Sequence, residues 1–394
     1  MIAGLLQGLV GLALLVLAVP VGVFALQVAA ACLPARRSAA AATPRPPLAV
    51  LVPAHNETAG IVATLRALRA QLRPGDRLLV VADNCSDDTA ARARAEGAEV
   101  VERQHAEQRG KGYALAFGVE QLRAAPPALL VIVDADCLPE PGALDTLAAA
   151  CVREAVPIQA LYLMLHETSP ELHGRVSAFA WRVKNWVRPR GAARLGWPCQ
   201  LMGSGMAFPW VLAERATWAS ASIVEDMQMG LALAAEGHAP LFCEAARVHS
   251  FFPSTPAAAL QQRTRWEHGH LGMTLQQMPR LLALALRRGD WRLLGMALDL
   301  SVPPFALLVL LAVALWVAAG GVGWLVGAGG LWQLASTLLA LLVLAVGLAW
   351  AGWGREVLGA LDLLRAPWYA VSKIALYARF WSRRQKDWVR TDRK

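Results

Sequence analysis

Four short clusters in this 394-residue chain carry side chains able to do chemistry. Asp134 and Asp136 close the apolar run Ala128-Leu-Leu-Val-Ile-Val-Asp-Ala-Asp-Cys137. The run reads as a strand buried on both faces. Strand alternation would send the two aspartates to one side and Ala135 to the other. Two such carboxylates repel unless a positive charge stands between them. A hard divalent cation that also holds a diphosphate meets that need; the plainer alternative is a surface turn continued by Pro139-Glu140-Pro141. Glu225 and Asp226 open a second predicted helix-starting cluster. A carboxylate there can accept a proton from a hydroxyl within hydrogen-bond reach, or it can simply favour the helix dipole. In Gln262-Arg-Thr-Arg-Trp266, Gln262, Arg265 and Trp266 fall on one helical face. Arg109-Gly-Lys-Gly-Tyr-Ala-Leu115 sets glycines around a lysine just before a helix, as a phosphate-binding loop does. It lacks P-loop spacing, which argues against ATP chemistry; the alternative is a solvated turn.

These residues need a scaffold, and the chain supplies one by alternation. Strands are predicted over 48–52, 77–82, 99–102 and 129–133, with helices over 58–72, 88–96 and 113–123 between them. Short loops between alternating strands and helices imply a mostly parallel sheet covered on both faces. Ligands of such sheets bind at the carboxyl ends of the strands, where the polar clusters fall. Beyond the aspartate pair the pattern is less regular. It gives strands over 159–166 and 241–248, an amphipathic helix over 177–188 and a helix over 225–235.

Composition sets the scaffold in a membrane. The chain is 56% hydrophobic and 17% charged, with a mean hydropathy of +0.40. Ile2–Cys32 carries no charge, and neither does Ser301–Gly354. The first stretch spans a ~30 Å hydrocarbon core at ~1.5 Å per residue. No basic residue precedes it and it exceeds the length of a signal core, so it reads as an uncleaved anchor. Arg36 and Arg37 follow it, which places the following chain in the cytoplasm. The second stretch accommodates two spans, 301–319 and 331–351, joined by a turn at Gly320–Gly330. The interleaved aromatic and basic residues of 366–388 suit a helix lying in the membrane interface. The net charge of +9 fits an anionic leaflet; with no basic–aromatic module present, nucleic acid is not an expected partner. Six cysteines without CxxC spacing indicate neither a disulfide framework nor a zinc site. His268 and His270 read as solvated or interfacial rather than as metal ligands.

From about Val50 to Trp266 these motifs, in this order, resemble the membrane-bound members of glycosyltransferase family 2. That group includes the cellulose, chitin, hyaluronan and poly-N-acetylglucosamine synthases. The resemblance implies a GT-A (Rossmann-like) cytoplasmic α/β domain with one N-terminal and two C-terminal transmembrane helices plus interfacial helices. It implies a UDP-sugar donor bound by the loop containing Pro53 and Glu57, by Asp83 facing the uracil, and by Lys111 and Asp134. The family usually has two adjacent acids where this chain has Ala82-Asp83; Asp83 matches the second, and the missing first puts little in doubt beyond leaving room for looser base selectivity. Asp134 and Asp136 match the DxD that coordinates Mg²⁺ or Mn²⁺ on the sugar diphosphate. Asp226, beside Glu225, matches the catalytic base. Gln262, Arg265 and Trp266 match QxxRW, holding diphosphate and acceptor, and Gly203 and Gly205 fall where relatives have an acceptor loop.

The expected protein is thus an inverting bacterial inner-membrane enzyme forming β-linkages in an extracellular polysaccharide. The alternative is transfer of one sugar to a lipid, as in ceramide-glucosyltransferase-like relatives carrying the same motif. Three spans form a slender path for a polymer unless the protein forms a homo-oligomer or uses export partners. The expected boundaries are an anchor at 1–33, a linker at 34–47 and a GT-A domain at 48–275. An interfacial segment at 276–296, a transmembrane hairpin at 297–354 and a tail at 355–394 complete the chain.

Overall fold

In a computed structural model, residues 2–34, 45–166, 171–220, 222–327 and 329–382 are described. Arg36, Arg37 and most of the expected linker, together with the end of the interfacial helix expected over 366–388 and the rest of the expected tail, lie outside them. The chain divides into two compact units. A sheet unit lies within Arg36–Thr168 and Pro198–Gly269, and a helical unit within Met1–Ala35, Ser169–Trp197 and His270–Gln385. Residues 169–197, inside the range 48–275, therefore pack with the helical unit.

The sheet unit is built on eight strands: β1 (Leu48–Ala54), β2 (Arg77–Asp83), β3 (Glu99–Arg103), β4 (Leu129–Ile132), β5 (Leu138–Pro139), β6 (Ile158–Leu165), β7 (Met206–Pro209) and β8 (Leu241–Phe251). Their order is β3-β2-β1-β4-β7-β6-β8-β5. β3, β2, β1 and β4 run parallel, as the alternation predicts. β7 enters antiparallel between β4 and β6, while β6 and β8 are parallel with a register shift between Ala160 and Leu161. The continuous apolar runs of β1 and β4 account for their central position, since each must bury both faces. Leu51, Leu79, Leu115, Leu130 and Phe208 meet in one core beneath the site.

In the helical unit, Ile2–Ala31, Phe305–Val326 and the stretch Gly330–Gly354 are long and apolar enough to cross a membrane. The expected turn at 320–330 is shorter than the glycines imply. The helix runs through Gly320, Gly321 and Gly323 to Val326 and ends on Gly327 at φ +68°. Glycine is tolerated in apolar helices where helices approach closely, and a Cβ on Gly320 would lie 3.2 Å from Trp332 Cδ1. The helix expected over 177–188 comprises three segments: α-helical Leu172–Arg182, π-helical Val183–Val187 and α-helical Arg188–Arg194. Helices Ala360–Ser372 and Ile374–Ser382 follow the spans. Leu361, Leu364, Trp368 and Val371 stay exposed along the first of them, the apolar stripe an interfacial helix needs.

A buried polar trio ties this unit together. Arg188 Nη2 donates to Asp299 Oδ1 at 2.7 Å and to the Asp299 carbonyl oxygen at 2.7 Å. Arg188 Nε donates to Gln27 Oε1 at 3.1 Å, and Gln27 Nε2 donates to Asp299 Oδ1 at 2.7 Å. The helices meet at backbone distance there, because a Cβ on Gly191 would collide with the Gln27 carbonyl oxygen.

Candidate active site

β4 ends at Ile132, so Asp134 and Asp136 occupy a turn closed by the Cys137 N–H donating to the Asp134 carbonyl at 3.0 Å. The strand-alternation argument for their pairing is therefore corrected: the turn, and not the pleat, brings them together. Oxygen atoms of both and Cys137 Sγ all lie within 4.8 Å of one another. The turn is braced from several sides. Asp134 N–H donates to Ser204 Oγ at 3.1 Å. Cys137 Sγ lies 3.7 Å from Asp136 Oδ1 and from the Tyr162 hydroxyl, and Tyr162 shares a 2.8 Å hydrogen bond with Ser250.

Gly203 marks the point where the chemistry converges. At φ +93° it holds a conformation L side chains rarely adopt, and a Cβ there would lie 3.2 Å from Asp226 Oδ2, 3.4 Å from Lys111 Nζ and 3.9 Å from Asp134 Oδ2. Lys111, the first residue of helix Lys111–Leu122, ion-pairs with Asp134 and donates to the Gly203 carbonyl at 2.7 Å. Burial opposes the charge on Lys111, but Asp134, Glu225 and Asp226 outweigh it and raise its pKa. Gly112 lets this helix start sit against the 218–220 loop; a Cβ would come 2.7 Å from the Trp218 carbonyl oxygen.

Glu225 and Asp226 do begin the helix Glu225–Ala235. Burial, then the adjacent Asp226 carboxylate, push the Glu225 carboxyl up to about 7. On the helix Pro256–Arg288, Gln262 is buried, and Gln262 Nε2 and Arg265 Nε are buried atoms without a hydrogen-bond partner among the described residues. Burial lowers the Arg265 pKa while Glu225, Asp134 and Asp226 pull it upward, which places the guanidinium in the same electrostatic neighbourhood. The helix seats closely: a Cβ on Gly269 would lie 2.5 Å from Val224, the residue before Glu225. Lys111 and Arg265 thus lie in the field of Asp134, Glu225 and Asp226, with Asp136 beside Asp134. That excess of negative charge, with hard oxygen donors on one turn, fits a divalent cation.

The other expected residues are distributed along the sheet's rim. Asp83 ends β2 and is buried against Arg103 at 2.6 Å. Pro53 is a strand residue in register with Val81. The Glu57 backbone accepts from Gly60 and Ile61 and donates to Thr89 Oγ1 at 2.8 Å. A Cβ on Gly60 would lie 3.7 Å from Asp136 Cα, so this loop abuts the aspartate turn. Gly205 is packed inside the sheet, where a Cβ would meet Ala160 at 2.8 Å and Val248 at 2.9 Å. Trp266 is half-buried, and His270 Nε2 lies 3.0 Å from the Val302 carbonyl oxygen, where burial, Lys184 and Arg188 press its pKa down to about 3. Sequence reasoning missed Gln159, which braces the Gly203 loop by donating to the Ser204 carbonyl at 2.9 Å and accepting from Met202 N–H at 2.8 Å. Its signal was present: a lone amide in an apolar strand needs a partner. Arg103 was also missed; it stacks over Tyr113 at 5.7 Å while pairing with Asp83.

A mixed, mostly parallel sheet with acidic turns at its carboxyl rim is a GT-A-like α/β architecture. Residues 44–269 match the family described as "Glycosyltransferase like family 2". The chain belongs to that family and is a glycosyltransferase. No curated protein sequence matches it. Among solved structures, it resembles the mannosyltransferase PcManGT from Pyrobaculum calidifontis, in complex with GDP-Man and Mn²⁺. The identity is 19%, with a TM-score of 0.52 over 86% of this chain and 97% of that one. Glucosyl-3-phosphoglycerate synthase from Mycobacterium tuberculosis, in complex with Mn²⁺, UDP and phosphoglyceric acid, is also similar, at 19% identity and a TM-score of 0.37 over 57% and 78% of the two chains.

Proposed function

We propose that the chain is an inverting transferase that moves a sugar from a UDP-sugar to a hydroxyl acceptor, forming a β-linkage at the cytoplasmic face of a bacterial inner membrane. The convergence of Asp226, Lys111 and Asp134 on the space at Gly203 is the observation that carries this reading. In the transfer, Asp226 accepts the acceptor's proton as its oxygen bonds to the anomeric carbon and the bond from that carbon to the diphosphate breaks. Asp134 and Asp136 would hold Mg²⁺ or Mn²⁺, which supplies Lewis-acid stabilisation of the departing diphosphate. PcManGT, of similar fold, was solved with Mn²⁺. Lys111 and Arg265 add fixed positive charge for the same leaving group. Gln262 and Trp266, on Arg265's helical face, would hold the acceptor; Asp83, Pro53 and Glu57 would line the nucleoside side.

The resemblance of Gln262–Trp266 to polymerising synthases favours an extracellular polysaccharide product. A second reading, single transfer to a lipid, is favoured by the presence of three candidate spans among the described residues, too few for one chain to enclose a polymer. The test is a panel of UDP- and GDP-sugars with Mg²⁺ and Mn²⁺, scored by nucleotide release, product size and anomeric configuration. UDP release with a β-configured size ladder is expected. A single glycolipid band selects the second reading, GDP-sugar preference overturns the donor, and retention of configuration overturns the mechanism.

A further inference from the structure

Cys137 sits in surroundings unlike those of an ordinary core cysteine. Cys151, also buried, has its thiol raised to about 12 by burial alone. Cys137 is fully buried too and its thiol is likewise pushed up to about 12, by burial and then by Asp134, but its sulfur is 3.7 Å from Asp136 Oδ1 and from the Tyr162 hydroxyl. Asp134 and Lys111 are both within electrostatic range. Its position in the turn fixes these contacts, because the Cys137 N–H closes onto the Asp134 carbonyl.

We propose that Cys137 is a third donor at the Asp134/Asp136 turn, making it a binding site for a thiophilic divalent cation of the zinc class. The inference rests on reading the aspartate pair as metal ligands. A cation about 2.3 Å from sulfur and about 2.1 Å from oxygen spans the observed 3.7 Å separation at an angle of about 114°, close to tetrahedral. The donor set, two carboxylates and one sulfur, is softer than the all-oxygen set magnesium prefers, and softness of this kind selects zinc-like ions. Binding forms a metal–sulfur bond, breaks the S–H bond and passes the proton to water. The resulting thiolate, two carboxylates, dication and Lys111 ammonium balance in charge. Tyr162, anchored by Ser250, holds the sulfur in place from the other side. A zinc-class ion would thus compete with Mn²⁺ for the same carboxylates.

Cadmium is the probe, because a thiolate bound to it gives an ultraviolet charge-transfer band. The full chain is titrated with Cd²⁺ as wild type, Cys137→Ser and Asp136→Asn, with Cys137→Ala as a second variant should serine disturb the fold. Mn²⁺ binding is followed on each protein by electron paramagnetic resonance. The expected result is a band in the wild type that excess Mn²⁺ suppresses, that Asp136→Asn weakens and that Cys137→Ser abolishes. Cys137→Ser should keep Mn²⁺ binding but lose Zn²⁺ affinity by roughly tenfold or more, at least the loss typical of an outer-shell partner. A band that survives Cys137→Ser, a band indifferent to Mn²⁺, or no band from a wild type that binds Mn²⁺ overturns the proposal. A wild type that binds no Mn²⁺ at all overturns the reading of the pair beneath it.

Discussion

Each unit of the molecule buries a cluster of opposite charges, and the two clusters are finished differently. In the helical unit, Arg188, Gln27 and Asp299 bond to one another from three distant stretches of chain. In the sheet unit, Lys111 bridges Asp134 and the Gly203 carbonyl, while Gln262 Nε2 and Arg265 Nε end without a hydrogen-bond partner among the described residues and the carboxyls outnumber the cations. A closed cluster fixes a structure; one with unspent donors and surplus charge is arranged for something that arrives. Leaving polar groups unpaired in a buried setting costs stability, so the open cluster is the one expected to repay that cost in binding.

The contrast can be broken most forcefully at the open cluster. Asp226→Asn should lower the rate of sugar transfer by about 10²–10⁴-fold while circular dichroism and melting stay close to wild type. An unchanged rate would remove Asp226 from the chemistry. The closed cluster should answer in stability instead. Arg188→Met leaves Asp299 buried without its cation and should cost about 3–5 kcal/mol, read as an earlier thermal melt in detergent. Adding Asp299→Leu should recover most of that loss, since an apolar replacement for both partners is often neutral. Lys111→Met sharpens the difference: it should raise Mn²⁺ affinity in the absence of donor by about tenfold, because a cation that competes for Asp134 is gone. Donor binding should weaken at the same time, and a fall in Mn²⁺ affinity would show that Lys111 assists the metal.

The smallest effect is a pH dependence. The Glu225 carboxyl is raised to about 7 by burial and Asp226, with Lys111 opposing and Asp134 adding to the rise. A raised acid contributes stability that is complete below its unfolded pKa, near 4.3, and is lost as pH climbs through 7. The melting temperature in metal-free buffer should therefore decline between pH 5 and 8, and Glu225→Gln should flatten that decline.

Much of the open cluster was legible in the sequence because its parts are local. A strand run followed by two aspartates, an acidic helix start and a helical Gln–Arg–Trp face each declare themselves within a few residues. What stayed hidden depends on chain paths. A turn at Asp134 was one of two readings open there, but nothing near it says that β7 runs antiparallel beside β4. Gln159 braces the Gly203 loop from another strand, and Gly205 is needed because Ala160 and Val248 crowd it. The closed cluster was illegible for the same reason: Gln27 lies within an apolar helix with no polar neighbour in sequence, and Asp299 lies far along the chain from it.

That separation has a consequence during synthesis. Gln27 is synthesised with the first helix, but Arg188 and Asp299 lie 161 and 272 residues downstream. At about 5–20 residues per second, the amide waits roughly 14–54 s for its final acceptor. During that interval the first helix carries an amide whose folded-state partners do not yet exist. The first helix is thus completed by residues made later, and a chimera with a foreign first helix would leave Arg188 and Asp299 without the Gln27 amide.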